Sequence, residues 1–179
     1  MQSSPFERSG RRFRFIVTLA MAAVIAACDS AIASPVLPTA GGSEPASASS
    51  SVANSIVDQT NAERSRAGLP ALRANVKLMR AAQIQADQMA QSGQMAHVLP
   101  GAAYPEPADR LAAVSYSWRT YGENVAWNQR DASAVMASWM NSSGHRANIL
   151  GENFTEIGVA VAYDNGGHPY YVQVFGRPL

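Results

Sequence analysis

The C-terminal end of the chain switches to a period of two, and this alternation constrains the fold more tightly than any other pattern in the sequence. Large and small side chains alternate in the order Ile157, Gly158, Val159, Ala160, Val161, Ala162, Tyr163. A period of two is typical of a β-strand, and the DNGG sequence that follows is typical of a hairpin turn. We therefore predict an antiparallel hairpin with residues 170–175 as its second strand. Its face of glycine and alanine would let a helix pack closely.

Two helices are predicted in the first half of the domain. The first covers residues 52–67, where inward-facing residues recur at four-residue spacing from Val52, and it stops at the sequence GLP. The second begins after Asn75, a good N-cap residue, and ends at Gly93. The inward face of this second helix is predicted to consist of Leu78, Ala82, Ala86 and Met89.

A third helix and a short strand complete the predicted elements. The helix starts at Asp131, another good N-cap residue, and ends at Ser142 or Ser143, where Gly144 would break it. Residues 123–127 are predicted to form the short strand. Helices packed on a small antiparallel sheet place the domain in the α+β class.

The N-terminal residues have the composition of an export signal. Four arginines precede the uncharged run FIVTLAMAAVIAAC at residues 15–28, which fits the roughly 7 to 15 apolar residues of such a signal and not the about 20 of a membrane helix. The sequence IAAC at its end resembles a bacterial lipobox, in which Cys28 would carry the lipid. The alternative is ordinary cleavage after Ala33 in the sequence AIAS. We favour a lipoprotein-type signal peptide at residues 1–28.

Composition divides the rest of the chain into a linker and one domain. Residues 29–51 are dominated by Ser, Ala, Pro and Gly without apolar periodicity, so we predict a disordered tether there. Residues 52–179 hold ten of the chain's 14 basic residues and ten acidic ones, so the domain has no net charge. This balance argues against a nucleic-acid partner. Cys28 is the only cysteine, so the domain must be stabilised by its core without an intramolecular disulfide.

Three histidines are the first candidates for a functional site. His168 follows the two glycines of the predicted hairpin turn, and we expect it to be a solvated turn residue. His97 and His145 each come just after a predicted helix end that a glycine marks, where a rigid scaffold commonly holds site residues. Taken singly, each of these two is more simply explained as a capping or surface residue.

Glu123 makes a shared site more attractive. It lies between Gly122 and Asn124 at the start of a predicted apolar strand, and a charge that enters a core needs a partner. If His97 and His145 converge on Glu123 they satisfy it, and the two nitrogens and one oxygen also suit zinc with an open fourth position. The sequence contains no local metal motif such as HExxH or CxxC. The spacing therefore leaves a zinc site and a hydrogen-bonded polar cleft equally open.

Several segments of the domain, in order, resemble the bacterial branch of the CAP superfamily, the SCP-like or cysteine-rich secretory, antigen 5 and pathogenesis-related type proteins. These segments are NAERSRAGLPAL, HVLPG, ADRLAAVSYSWRTYGENVAW, ASWMNSSGHRANILGENFTEIGVAVAYD and YYVQVFG. The resemblance implies a secreted or surface-held three-layer α-β-α sandwich with a central cleft, in which two histidines and acidic residues converge and sometimes bind a divalent metal. His97, Glu123 and His145 match three members of that cleft.

Two departures from the family pattern concern the cleft. Many eukaryotic relatives have a glutamate three residues after the helix tryptophan, and here that position, counted from Trp139, is Ser142. One carboxylate fewer weakens the inference of tight metal binding. The HTDG-like sequence after the first histidine is replaced by HVLPG. Asn124 and Ser142 are assigned to the cleft, whereas Asn141, Arg146 and Asn148 are more simply explained by local capping of a broken helix.

Ligand binding at this cleft is the expected function. The resemblance implies a binding or interaction module for a small or lipidic ligand, with a divalent ion such as zinc as the candidate cofactor and His97, His145 and Glu123 as its candidate ligands. The alternative is a metal-assisted hydrolase that uses the same residues or, less favoured, a serine-type protease with Ser142 or Ser143 as nucleophile and His145 as base. A third hypothesis is an envelope interaction protein whose cleft is only structural.

The location and assembly of the protein are predicted from the same features. We expect a monomer outside the cytoplasm, either secreted or held at the membrane through lipidated Cys28. The tether at residues 29–51 would then let the folded domain at residues 52–179 stand off from the membrane.

Overall fold

The structure, a computed structural model, describes residues 44–179, with side chains from residue 47 onward. The predicted signal peptide, Cys28 and the tether up to residue 43 lie outside the described residues. Among the helices that the structure describes, none is long and apolar enough to cross a membrane.

The first helix, α1, spans Glu44–Arg66 and therefore begins earlier than the predicted start at residue 52. Residues 44–51, which we assigned to a disordered tether, are helical. The reason is that a helix gains one hydrogen bond per added residue once a turn is packed, and neither serine nor alanine breaks it. The packed turns are those of Ile56 and Thr60, which are fully buried. At its end, Gly68 has a φ of 73°, as the predicted stop signal requires.

The second helix, α2, spans Val76–Ser92 and confirms the predicted capping. The side chain of Asn75 accepts hydrogen bonds from the backbone N–H groups of Lys77 and Leu78, at 2.8 and 3.3 Å. Gly93 ends the helix in the left-handed conformation, with a φ of 67°. The predicted inward face is fully buried: Leu78, Ala82, Ala86 and Met89.

Two short elements on either side of α2 were not predicted. Strand β1 is only Arg73–Ala74, too short to show a period. Helix α3 spans Pro107–Ala113, and its start carries a recognisable signal, because Pro107 occupies the first turn and the Asp109 carboxylate accepts a hydrogen bond from the Glu106 N–H at 3.1 Å. Helix α3 matters for the site because it carries Arg110.

The predicted third helix is present and ends at Ser142 as expected, but a further helix that was not predicted follows it directly. Helix α4 spans Ala132–Asn141, with Asp131 as N-cap, and helix α5 spans Ser143–Ile149. The prediction that Gly144 breaks the helix is wrong, since Gly144 lies inside α5. The break falls at Ser142, whose extended backbone (φ −96°, ψ 122°) makes it the N-cap of α5, a position that serine favours.

The sheet contains the predicted hairpin, strands β3 (Glu156–Tyr163) and β4 (Pro169–Pro178), and strand β2 (Trp118–Trp127), which is longer than the predicted residues 123–127. The strand order is β1-β3-β4-β2. Strand β1 pairs with β3 in parallel, whereas the other two pairings are antiparallel. The sheet is therefore mixed and not wholly antiparallel as predicted, because the long connection from β1 to β3 allows the crossover that a parallel pair needs.

Helices cover both faces of this sheet, which confirms the α-β-α sandwich. Helices α2 and α3 pack on one face, here called the α2 face, and helices α1, α4 and α5 pack on the other, the α4 face. The small-residue face of β3 meets α2, as predicted. At Gly158 a side-chain methyl group would overlap the backbone of Leu78 and Met79, so only glycine allows this approach.

Candidate functional site

The candidate site is built on β2, an edge strand of the sheet. Successive side chains of a strand point to opposite faces. The carboxylate of Glu123 lies on the α2 face, where it meets Arg110 of α3, and the amide of Asn124 lies on the α4 face, where it meets α5. Gly122, the first residue of the GEN sequence, leaves no room for a side chain. A Cβ there would lie 2.9 Å from the Phe154 ring and 3.0 Å from Asn148 Oδ1.

Glu123 is buried and paired with an arginine that the sequence analysis missed. Only 5% of its side chain and 1% of the Arg110 side chain are exposed. The Nη2 atom of Arg110 donates to both carboxylate oxygens, at 3.0 and 3.2 Å, so the two charges neutralise each other. Arg110 also donates to the carbonyls of Tyr104, Pro105 and His97, at 3.1, 3.1 and 2.9 Å. The fixed cation that Glu123 required is therefore Arg110.

His97 reaches Glu123 from the loop that follows α2. Its Nδ1 atom lies 2.9 Å from Glu123 Oε1, and 49% of its side chain is exposed. Two buried side chains hold this loop, since Gln85 donates to the carbonyl of Ala96 and Arg110 donates to that of His97. The engaged Nδ1 atom faces the protein, which leaves the Nε2 atom of His97 as the nitrogen available to a ligand.

Asn124 contributes by fixing α5. It is fully buried, and its Nδ2 atom donates to the carbonyl of His145 at 3.1 Å and to Gln173 Oε1 at 3.0 Å. Asn148 of α5 donates in return to Asn124 Oδ1 at 2.9 Å and to the Glu123 carbonyl at 3.1 Å. Asn124 and Asn148 therefore tie α5 to β2, and Asn124 is too deeply buried to line an open cleft as predicted.

His145 lies in the first turns of α5, whereas we expected it just past a helix end. Its ring is partly buried. Burial lowers the pKa of His145 first, and the charge of His97 lowers it further. The second cause indicates that His97 is close enough for its charge to act on the His145 ring. No hydrogen bond joins His145 to Glu123 among the described residues, so a cleft shared by the two imidazoles stays a prediction. At neutral pH the lowered pKa keeps the His145 ring uncharged.

Neither serine near His145 is arranged as a nucleophile. Ser142 is half-buried and Ser143 is exposed, and within residues 47–179 neither hydroxyl makes a hydrogen bond to the His145 ring, which a serine activated by a histidine base would require. Ser143 instead borders a shallow depression on the outer side of α4 and α5, together with Asn141 and Arg146. Asn141 and Arg146 therefore lie on this outer surface of α4 and α5.

A metal site with three protein ligands does not form in the described part of the chain. Among residues 44–179, no group of three histidine, cysteine, aspartate or glutamate side chains is placed to hold one ion. The predicted oxygen ligand, Glu123, already accepts from Arg110 and is hydrogen-bonded to His97. The imidazoles of His97 and His145 remain as candidate metal ligands. Glu123, hydrogen-bonded to Nδ1 of His97, has the position of a carboxylate that orients a metal-binding histidine.

His168 lies apart from this site, in the β3–β4 turn. It is exposed, and its Nδ1 atom is 3.0 Å from Asp164 Oδ2. The solvated turn position was predicted, whereas its ion-pairing partner was not.

Comparison with known proteins supports the same family as the sequence segments. Residues 57–175 match the profile of the cysteine-rich secretory protein family, CAP. The protein YkwD of Bacillus subtilis (strain 168) is 37% identical over 122 residues, which are 68% of this chain and 46% of YkwD. The chain thus spans about half of that relative.

Two solved structures share the fold. An extracellular protein with an SCP domain from Bacillus anthracis str. Ames has a TM-score of 0.65 and 31% identity, covering 72% of this chain and 41% of that one. An outer surface protein from Borrelia burgdorferi has a TM-score of 0.64 and 19% identity, covering 69% of this chain and 90% of that one. The fold, the GEN strand, the two histidines and these matches together show that the chain belongs to the CAP (cysteine-rich secretory protein) family.

Proposed function

We propose that this protein is an extracytoplasmic binding module whose ligand enters the cleft between His97 and His145. The observation that carries the proposal is that the buried Glu123–Arg110 pair meets the surface through one half-exposed imidazole, that of His97. Here the pair fixes the orientation of a ring that keeps a nitrogen free for a ligand.

The chemistry around the cleft favours a ligand that is uncharged or weakly polar and has an apolar part. Arg110 neutralises Glu123, and the lowered pKa of His145 leaves that ring uncharged at neutral pH. Large apolar side chains are exposed near His97 and near Glu123. Met95 and Val98 flank His97 in sequence, and Tyr121 lies on the same side of β2 as Glu123. These features support a small or lipidic ligand.

Binding is better supported than hydrolysis. A serine-type mechanism needs a nucleophile within hydrogen-bond reach of its base, about 2.6 to 3.2 Å, and neither Ser142 nor Ser143 hydrogen-bonds to His145. A metal-assisted hydrolase, the alternative, needs an ion that activates water. Two imidazoles supply fewer protein ligands than the three that catalytic zinc commonly has.

A divalent ion can still be a cofactor of binding. His97 through Nε2, together with a neutral His145, would hold it, and the hydrogen bond from His97 to Glu123 would orient the first ring. Such an ion would supply a Lewis-acid contact to a polar group of the ligand. With only two protein ligands we expect weak and exchangeable binding.

The location outside the cytoplasm is supported by the Bacillus anthracis relative, which is an extracellular protein. Anchoring through lipidated Cys28 remains the proposal for the N-terminus. Mass spectrometry of the membrane fraction tests it, since a mature chain that starts at Ser34 without a lipid would contradict lipoprotein processing.

The test of the binding proposal is an inventory of metals and small molecules in the natively purified protein, followed by titration with the compounds found. We expect a bound compound that is lost in His97→Gln and in His145→Gln, while His168→Gln, a change of the exposed turn histidine, retains it. A compound that persists in both cleft variants, or a protein that carries and takes up nothing, would contradict the proposal. Zinc titration of the same variants separates ion binding from ligand binding.

A further inference from the structure

The edge of the sheet opposite to the cleft is incompletely paired. Strand β1 pairs with β3 only over the register pairs Arg73–Glu156 and Ala74–Ile157, where the Arg73 N–H donates to the Thr155 carbonyl at 3.0 Å and the Asn75 N–H donates to the Ile157 carbonyl at 2.9 Å. Beyond Ile157, strand β3 continues to Tyr163 with β4 as its only strand neighbour among residues 44–179. This part of β3 is an edge strand, although it lies between two helices.

The backbone of Val159 and Val161 faces this edge. In an antiparallel strand, alternate residues direct both their N–H and C=O groups to the same side. Since Ile157 points to β1, Val159 and Val161 point to the same edge after β1 has ended. Within residues 47–179 no side chain makes a hydrogen bond to these groups either, yet the two residues are only 4% and 3% exposed. Buried backbone groups are nearly always paired, so this edge has the chemistry of a site that another molecule completes.

A groove runs along this edge, between α1 and α2. It has a volume of about 430 Å³, within the range of about 300 to 1,000 Å³ typical of ligand sites. Helix α1 contributes Ser49, Ala53 and Asn54 to its walls, and α2 contributes Met79 and Gln83. Among residues 47–179, no acidic or basic side chain lines it.

We propose that this groove, the β3-edge groove, binds an extended peptide segment of a partner protein, which adds to β3 as a strand in continuation of β1. The unpaired N–H and C=O groups of Val159 and Val161 recognise a peptide backbone, which offers the complementary groups at the same spacing. The uncharged walls favour uncharged side chains of the peptide. A second copy of this edge does not fit, because the edge is recessed between two helices and paired strands must approach to about 4.8 Å.

A peptide selection with the full chain tests this proposal. A displayed library of random six-residue peptides is panned against the protein, and the affinity of the selected peptide is measured by fluorescence anisotropy. We expect Ser49→Trp, which fills the groove, to weaken binding about 10-fold or more, as loss of one or two hydrogen bonds would. Ser51→Trp, on the same helix but exposed and outside the groove, is the matched control and should bind normally.

The backbone character of the contact has its own readouts. Alternate amides of the bound peptide face β3, and the others face away from it. N-methylation of the first set should abolish binding, and N-methylation of the second set should leave it nearly unchanged. In the protein alone, the Val159 and Val161 amides should exchange hydrogen faster than the Ala160 amide, which faces β4, and the peptide should slow them. The proposal is overturned if no selected peptide responds to Ser49→Trp. It is equally overturned if, in the protein alone, the Val159 and Val161 amides are already as protected from exchange as the Ala160 amide. Protection of these amides that rises with protein concentration would also overturn it, because a second copy of the chain would then cover the edge.

Discussion

Two buried glutamates of the same sheet, Glu123 and Glu156, differ in what surrounds them. Glu156 accepts from Arg73, Asn75 and Tyr116, at 2.8, 2.9 and 3.0 Å, and Glu123 is held by Arg110 and His97. Three fixed donors hold Glu156. Among residues 47–179, the surface-facing partner of Glu123 is the half-exposed imidazole of His97.

The exposure of the two arginines is reversed. The Arg73 side chain is 77% exposed, whereas that of Arg110 is 1% exposed. At Glu156 the arginine is solvated and the Tyr116 donor is buried, whereas at Glu123 the arginine is buried and the histidine is half-exposed. A buried carboxylate therefore does not by itself indicate a functional site. The exposure and the chemistry of its partners distinguish the cleft from a structural cluster.

The largest expected effect is that of removing each arginine. Arg110→Met leaves Glu123 buried beside no fixed cation, so the free energy of unfolding should fall by about 3 to 5 kcal/mol. Arg73→Met removes a solvated cation while Asn75 and Tyr116 still hold Glu156, so the loss should be at most about 1 kcal/mol. Urea denaturation at pH 7 measures both. Equal losses would mean that the two clusters do not differ as described.

The glycines beside the two clusters give the next effect. The methyl group of Gly122→Ala would overlap Asn148 and Phe154. That of Gly176→Ala would overlap the Tyr116 hydroxyl, which donates to Glu156. Each should lower the free energy of unfolding by about 1 to 3 kcal/mol, as overpacking does. Only Gly122→Ala should shift the NMR signals of His145, because Asn148 belongs to α5. A His145 shift of the same size in Gly176→Ala would contradict the separation of the two clusters.

Tyr116 reports on the surroundings of Glu156. Burial, followed by the hydrogen bond and the charge of Glu156, raises the pKa of Tyr116 above its ordinary value. Glu156→Gln should lower that pKa without restoring the ordinary value, since burial remains. Tyr171 is the internal control, because burial raises its pKa to about 12 without Glu156. NMR titration with carbon-13-labelled tyrosine, which resolves the individual rings, measures the difference. A Tyr116 pKa unaffected by Glu156→Gln would contradict the assigned contact.

His145 should make the stability of the protein depend weakly on pH. Because the pKa of His145 is lowered in the folded protein, the unfolded chain binds the proton more readily. The contribution of His145 to stability is therefore complete above its unfolded pKa of about 6.5 and is lost as the pH falls through the lower folded value. His145→Asn should reduce the loss of stability between pH 7 and that value. Urea midpoints across this range test the effect, and an unchanged slope would contradict it.

Local signals in the sequence predicted much of the fold. Asn75 and Gly93 bound α2 as expected, and the alternation from Ile157 to Tyr163 forms the strand whose small face meets α2. The elements that were missed or misplaced lack such signals. Strand β1 has two residues, and the N-terminal turns of α1 are added to a helix that is packed further along the chain.

The site was predicted in part, for a similar reason. Glu123 could be recognised as a buried charge in need of a partner, but Arg110 belongs to a short helix that periodicity does not reveal. Its N-terminal capping signal, at Glu106 to Asp109, could have located it. The end of the third helix at Ser142 was predicted, whereas α5 was missed. Asn124 holds α5, and no local pattern encodes this contact between residues distant in sequence.

The central claim is that His97 and His145 face one cleft, and NMR titration of the His145 ring tests it most directly. In His97→Gln the pKa of His145 should rise towards its ordinary value, because the charge of His97 is one of the two causes that lower it. In His168→Gln, a change of the distant turn histidine, the pKa should stay where it is. A His145 pKa that is the same in His97→Gln as in the unaltered protein would show that the two rings do not share a cleft.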